Sequence, residues 1–78
     1  MLDVEYRKAF LKFIAKIKNE KVKKQVEKIL DSPEIGKPMR HTRKGTRELY
    51  VAPYRLAYSY DKARETLVFL DIYHKDEQ

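Results

Sequence analysis

The stretch Arg47-Glu48-Leu49-Tyr50-Val51-Ala52-Pro53-Tyr54-Arg55-Leu56-Ala57-Tyr58-Ser59-Tyr60 decides how this chain is read. Leu49 and Val51 alternate with Glu48 and Tyr50, while Tyr54, Leu56, Tyr58 and Tyr60 alternate with Arg55, Ala57 and Ser59. A period of two belongs to strands, whose successive side chains point to opposite faces. Pro53 has no N–H to give a ladder, so it marks a turn or bulge between two strands. Downstream, Asp61-Lys62-Ala63-Arg64-Glu65 reads as a polar hairpin loop. Thr66 to His74 is nearly all apolar, which predicts a central strand covered on both faces.

Upstream the period changes. Phe10, Phe13, Ile14 and Ile17 follow Tyr6 at helical spacing, with Lys8, Lys12, Lys16 and Lys18 mostly opposite. Asp3 is the candidate cap of this first helix, although residues 2–6 also fit a short strand. Val22, Val26, Ile29 and Leu30 form a second stripe that stops before Asp31-Ser32-Pro33, because proline disfavours helix in the residue before it. Asn19-Glu20 is the expected break. The order helix, helix, strand, strand, strand predicts a single α+β domain over residues 1–78. Its N-terminal antiparallel helical hairpin packs on one face of a small, mainly antiparallel sheet of three to four strands.

Composition bounds what such a domain does. The chain has 78 residues and no cysteine, which removes disulfide staples and thiolate metal sites. No apolar run approaches the roughly 20 residues of a membrane-spanning helix, and the N-terminus lacks the apolar core of a signal peptide. A soluble, cytoplasmic protein is expected. Its formal net charge of +6 attracts polyanions, although an acidic protein partner explains it equally well. Lys37, Arg40, His41, Arg43, Lys44 and Arg47 fall within residues 37–47 without one acid among them, the densest positive patch in the sequence.

Metal-free RNA cleavage needs a base for the 2′-hydroxyl, cations on the phosphorane and a proton for the 5′-oxygen. Imidazole suits either proton step and guanidinium suits the phosphate. The candidates are His74 at the end of the last strand, Arg55 in the middle strand, and Arg47 or Lys44 entering the first. Counting by twos puts His74, Ile72, Leu70 and Val68 in one row, and Arg55, Ala57 and Ser59 in another. If the rows share a face, the small residues beside Arg55 leave a concavity; Leu67, Phe69 and Tyr73 then face the helices. Plainer readings stand beside these. His74 also fits a solvated surface side chain, Arg55 a structural pair with Glu48 or Asp71, and residues 37–47 a solvated loop. Tyr50 and Tyr73 are candidates for stacking on bases. Two histidines and no carboxylates at ligand spacing predict no metal site, and no cofactor is expected.

Four segments in order then carry a resemblance. Gly36-Lys37-Pro38-Met39, Lys44-Gly45-Thr46-Arg47-Glu48-Leu49-Tyr50, Pro53-Tyr54-Arg55-Leu56-Ala57-Tyr58 and Tyr73-His74-Lys75-Asp76 resemble the RelE/ParE superfamily of toxins over about half the chain. The resemblance implies the toxin of a type II toxin–antitoxin system, a ribosome-associated endonuclease that cuts mRNA and is blocked by an acidic, partly disordered antitoxin. It puts Arg55 on the scissile phosphate and His74 in proton transfer. Arg47, Lys44 and Arg43 become phosphate contacts and Glu48 a candidate base. The aromatic that many members carry after the histidine has no counterpart in Lys75-Asp76-Glu77-Gln78, unless Tyr73 or Tyr50 fills its place. The gyrase-poisoning ParE branch shares the fold without needing these residues. A non-catalytic RNA- or ribosome-binding homologue is the further alternative.

Overall fold

A computed structural model describes residues 1–39 and 45–77 of the chain. In order these form strand β1 (Asp3–Tyr6), helices α1 (Lys8–Ile17) and α2 (Glu20–Asp31), and strands β2 (Lys37–Pro38), β3 (Thr46–Val51), β4 (Tyr54–Asp61) and β5 (Thr66–His74), closed by a 3-10 turn (Lys75–Glu77). The five strands make one sheet in the order β1-β5-β4-β3-β2. Only β1 and β5 run parallel; the other pairs are antiparallel. The α+β class is as expected, with a five-stranded sheet in place of three to four strands, and each helix is held by the sheet rather than by a helical hairpin, α1 on β5 and α2 on β3.

Both additional strands are edges. Residues 3–6 do not start the first helix, and Asp3 caps nothing. Asp3 N–H instead reaches Glu65 O at 2.8 Å, and Arg7 N–H closes the parallel pairing on Phe69 O at 2.9 Å. Pairing with β5 seats the Tyr6 ring on Phe69, 5.2 Å between centroids. A strand therefore precedes the helices, and α1 begins only at Lys8, without a side-chain cap. Lys18 takes a left-handed conformation (φ 46°) that ends α1. Asn19, at the expected break, then caps α2: its Oδ1 accepts from the N–H groups of Lys21 and Val22 at 2.9 and 3.2 Å. Helix α1 lies against β5 and α2 against β3.

Both helices cover the same face of the sheet. Phe10, Val22 and Ile29 pack there with Val51, Leu56, Tyr58, Leu67, Phe69 and Ile72. Strand β5 lies between β1 and β4, so it is interior as expected, but β4 is the middle strand and β5 is covered on one face only, where Leu67, Phe69 and Ile72 are buried.

Register in β5 departs from simple alternation. Ala57 pairs with Asp71 whereas Tyr58 pairs with Phe69, leaving Leu70 as an extra residue. Such a bulge turns every side chain beyond it to the other face. Leu67 and Phe69 face the helices, and so do Ile72 and His74, while Tyr73 turns to the open face. Asp71 Oδ1 accepts from Ile72 N–H at 2.8 Å within the bulge.

Candidate functional site

The open face of the sheet carries two cross-strand rows. In the first, Tyr50, Arg55 and Tyr73 are register partners across β3, β4 and β5. In the second, Lys37, Glu48, Ala57 and Asp71 line up across β2 to β5. Cross-strand partners share a face and their diagonal neighbours remain within reach of long side chains. Glu48 uses that reach. Its Oε1 accepts from Arg55 Nη1 at 2.6 Å, and its Oε2 accepts from the Tyr73 hydroxyl at 2.7 Å. Tyr73 crosses the width of β4 to get there, and the methyl side chain of Ala57 leaves the room. The Arg55 guanidinium also lies over the Tyr50 ring, 5.6 Å from its centroid, in a cation–π contact. Tyr50 is itself half exposed, at 51%.

This geometry sets the protonation states. Burial raises the Glu48 carboxyl, but hydrogen bonds from Tyr73 and Arg55 and the Arg55 charge outweigh it, so the group lies below its ordinary range. The Glu48 hydrogen bond leads in holding Arg55 protonated. Tyr73 is pushed up to about 12, first by burial and then by its bond to Glu48. At neutral pH the cluster is a carboxylate gripped by a guanidinium and by a neutral phenol. A groove of about 710 Å³ runs beside it along the β2–β3 edge, lined by Gly36, Lys37, Arg47, Glu48, Tyr50 and Arg55 among others.

The structure therefore brings Arg55, Glu48, Tyr50, Tyr73 and Lys37 to one face. It does not bring two expected residues to them. His74 pairs with Tyr54 on the helix face, their rings edge to face at 5.9 Å. Its Nδ1 accepts from Asp76 N–H at 3.3 Å. The expected common face of Arg55 and His74 does not form, because the bulge reverses the parity of β5 between Phe69 and Ile72.

Arg47 pairs with Tyr58, so it too lies on the helix face. There its Nη1 donates to the carbonyls of Glu34 and Gly36 at 2.9 and 2.7 Å. The same turn is pinned by Tyr58, whose hydroxyl accepts from Gly36 N–H at 2.8 Å and donates to Pro33 O at 2.7 Å. A Cβ at Gly36 would lie 2.6 Å from that hydroxyl, so the turn requires glycine. Arg47 and Tyr58 together hold the segment that delivers Lys37 to Glu48. Arg40, Arg43 and Lys44 lie outside the described residues.

Simple alternation along β5 turns Tyr73 towards the helices, whereas its side chain lies on the open face beside Glu48. The signal that corrects this is Asp71. Strict alternation from Leu67 through Phe69 puts Asp71 on the apolar face, where an unpaired carboxylate is costly. Alternation must therefore break before it.

This fold of two helices on a five-stranded, mostly antiparallel sheet is similar to the structure of the isolated E. coli RelE toxin, at 18% identity over 95% of this chain and 84% of that one, TM-score 0.77. YafQ from E. coli strain BL21(DE3) shares it at 18% identity, 99% and 97% coverage and TM-score 0.75. A chain of the RelBE2 toxin–antitoxin complex from Mycobacterium tuberculosis does so at 24% identity, 95% and 98% coverage and TM-score 0.70. No curated protein matches the sequence significantly. Residues 4–78 match the family described as ParE toxin of type II toxin-antitoxin system, parDE, and the chain belongs to that family, within the RelE/ParE superfamily of toxins. Among the described residues, no helix is long and apolar enough to cross a membrane.

Proposed function

We propose that this toxin cuts messenger RNA at the open sheet face, with Arg55 on the scissile phosphate, Glu48 as the base and Tyr73 as the proton donor. The observation that carries the reading is the Glu48 carboxylate bonded to both Arg55 and Tyr73, at 2.6 and 2.7 Å. The 2′-hydroxyl gives its proton to Glu48 as the 2′-oxygen bonds to phosphorus. The P–O5′ bond breaks, and the 5′-oxygen keeps the electron pair and takes a proton from Tyr73. Glu48 returns its proton to Tyr73 across their hydrogen bond, which resets the site. Arg55 offsets charge on the phosphorane, the largest contribution available without a metal. Lys37 and Tyr50 suit the adjoining phosphate and base.

The ribosome is the proposed place of action. Eight lysines on or between the helices (8, 12, 16, 18, 21, 23, 24 and 28) are exposed and suit a ribosomal RNA surface. An acidic antitoxin that covers the open face is the proposed inhibitor; RelBE2 is itself a toxin–antitoxin complex. Mapping transcript ends in cells expressing the chain tests the activity. New 5′ ends that vanish with Arg55→Ala support it, whereas unbroken transcripts in arrested cells refute it.

Poisoning of DNA gyrase is the second reading. The parDE family description and the position of His74, away from Arg55, favour it. Gyrase cleavage complexes trapped by the purified chain, with translation unaffected, would establish it.

A further inference from the structure

The ion pair at the centre of the open face is one-toothed. Arg55 reaches Glu48 through Nη1 alone, and Arg55 Nε is buried with no hydrogen-bond partner among the described residues. Carboxylates that an arginine holds firmly meet its fork with two parallel bonds. Here the second carboxylate oxygen is turned away to Tyr73. The Arg55 side chain remains 35% exposed, so a dissolved anion has access to it. The groups that face Glu48 are Arg55 on β4, Tyr73 and Asp71 on β5, Lys37 on β2 and Tyr50 on its own strand. Two cations and two carboxylates thus stand on the two adjoining rows of this face, and this part of a basic protein already carries its own counter-anions.

We propose that Glu48 is a resident stand-in for the substrate phosphate, displaced from Arg55 by the incoming phosphodiester, so that its carboxylate is free to accept a proton only when substrate is bound. The proposal rests on the reading of this cluster as a phosphodiester site. A phosphodiester offers two unesterified oxygens to the guanidinium fork, where Glu48 offers one. Once displaced, Glu48 keeps the Tyr73 hydroxyl but loses its cation and gains a neighbouring negative charge. Both changes favour its protonated form. The same carboxylate is a weak base in the free toxin and a stronger one in the complex.

Binding of the full chain to a single-stranded 2′-O-methyl RNA, which cannot be cleaved through its 2′-oxygen, tests this. Glu48→Gln should bind about five- to tenfold more tightly at physiological salt, since it removes the charge that competes with the phosphate for Arg55. In the Arg55→Ala background the same substitution should give no gain, because the competition is for that guanidinium. Equal or weaker binding by Glu48→Gln, a gain that persists without Arg55, or no binding of the oligonucleotide at all would overturn the proposal. Carbon-detected NMR of the wild-type Glu48 carboxyl needs no variant to fold. Its titration midpoint should rise when the oligonucleotide is added, and an unmoved midpoint overturns the idea. None of these measurements requires turnover. Tighter Glu48→Gln binding with intact transcripts in cells would therefore remove the nuclease reading and leave the stand-in.

Discussion

The backbone N–H of Gly36 donates to the hydroxyl of Tyr58 at 2.8 Å, across 22 positions of sequence. That bond ties the turn after α2 to the middle strand of the sheet, and the hydroxyl in turn donates a hydrogen bond to Pro33 O. Tyr58→Phe leaves a buried donor and a carbonyl without their partner. The loss is expected at about 2 kcal/mol, or roughly 10 °C in Tm for a domain of this size. Gly36→Ala is expected to cost at least as much, because its Cβ meets a hydroxyl already fixed by two bonds. Urea unfolding of the two variants checks both, and a shift within error of zero in either would show that the turn holds itself.

Arg47 is expected to matter for stability and not for turnover. Its Nη1 is committed to two carbonyls on the helix face, so it is not directed at a substrate on the open one. Arg47→Lys keeps the charge and loses the two-carbonyl clamp, which is expected to lower stability by about 1 to 2 kcal/mol. Cleavage per folded molecule should stay within about threefold of wild type, under 1 kcal/mol of barrier. A hundredfold loss of cleavage in a variant that remains folded would return Arg47 to the phosphate.

How much of this was legible in the sequence differs by element. The two long helices and β3 to β5 announce themselves because each repeats its period several times. Strand β2 is two residues long and shows no period at all. Strand β1 does alternate, with Asp3 and Glu5 against Val4 and Tyr6, yet Asp3 before a helical stripe mimics a cap equally well. What decides is its parallel pairing with β5, more than sixty residues away, and no local pattern encodes that. Among site residues, Arg55, Glu48 and Tyr50 followed from alternation within one hairpin. Arg47 was also readable, since it shares a row with Leu49 and Val51. Tyr73 and His74 were exchanged between faces by one extra residue, Leu70, and only the awkward placement of Asp71 gave notice of it.

The cluster predicts opposite pH dependences for its two titrating members. Burial works against the Glu48 carboxylate, but the bonds from Tyr73 and Arg55 hold it below its ordinary value of 4.5. The unfolded chain releases it, so its contribution to stability is complete above 4.5 and is lost as pH falls through the lower folded value. Tyr73 behaves in reverse: raised by burial from 10 to about 12, it contributes fully below 10 and loses that contribution as pH climbs through 12. The stability gap between wild type and Glu48→Gln should therefore narrow in acid. The gap to Tyr73→Phe should narrow in alkali. Chemical denaturation across the pH range reads both, and gaps that stay constant into acid and alkali would mean that neither group is linked to folding.

His74 and Arg55 make the sharpest contrast. The two residues lie on opposite faces of the sheet, with His74 against Tyr54 and Arg55 among Glu48, Tyr50 and Tyr73. His74→Ala removes an edge-to-face aromatic contact, expected to cost about 1 kcal/mol of stability. It should leave growth arrest and binding of uncleavable RNA near wild-type levels. Arg55→Ala should abolish arrest, and it should weaken RNA binding by at least tenfold through loss of the phosphate contact, about 1.4 kcal/mol or more. The two variants are compared by arrest in cells together with thermal unfolding, so that misfolding is not mistaken for lost chemistry. If His74→Ala remains folded and harmless to cells, the proton donor is His74 rather than Tyr73, and the strand end must reach the substrate around the edge of the sheet.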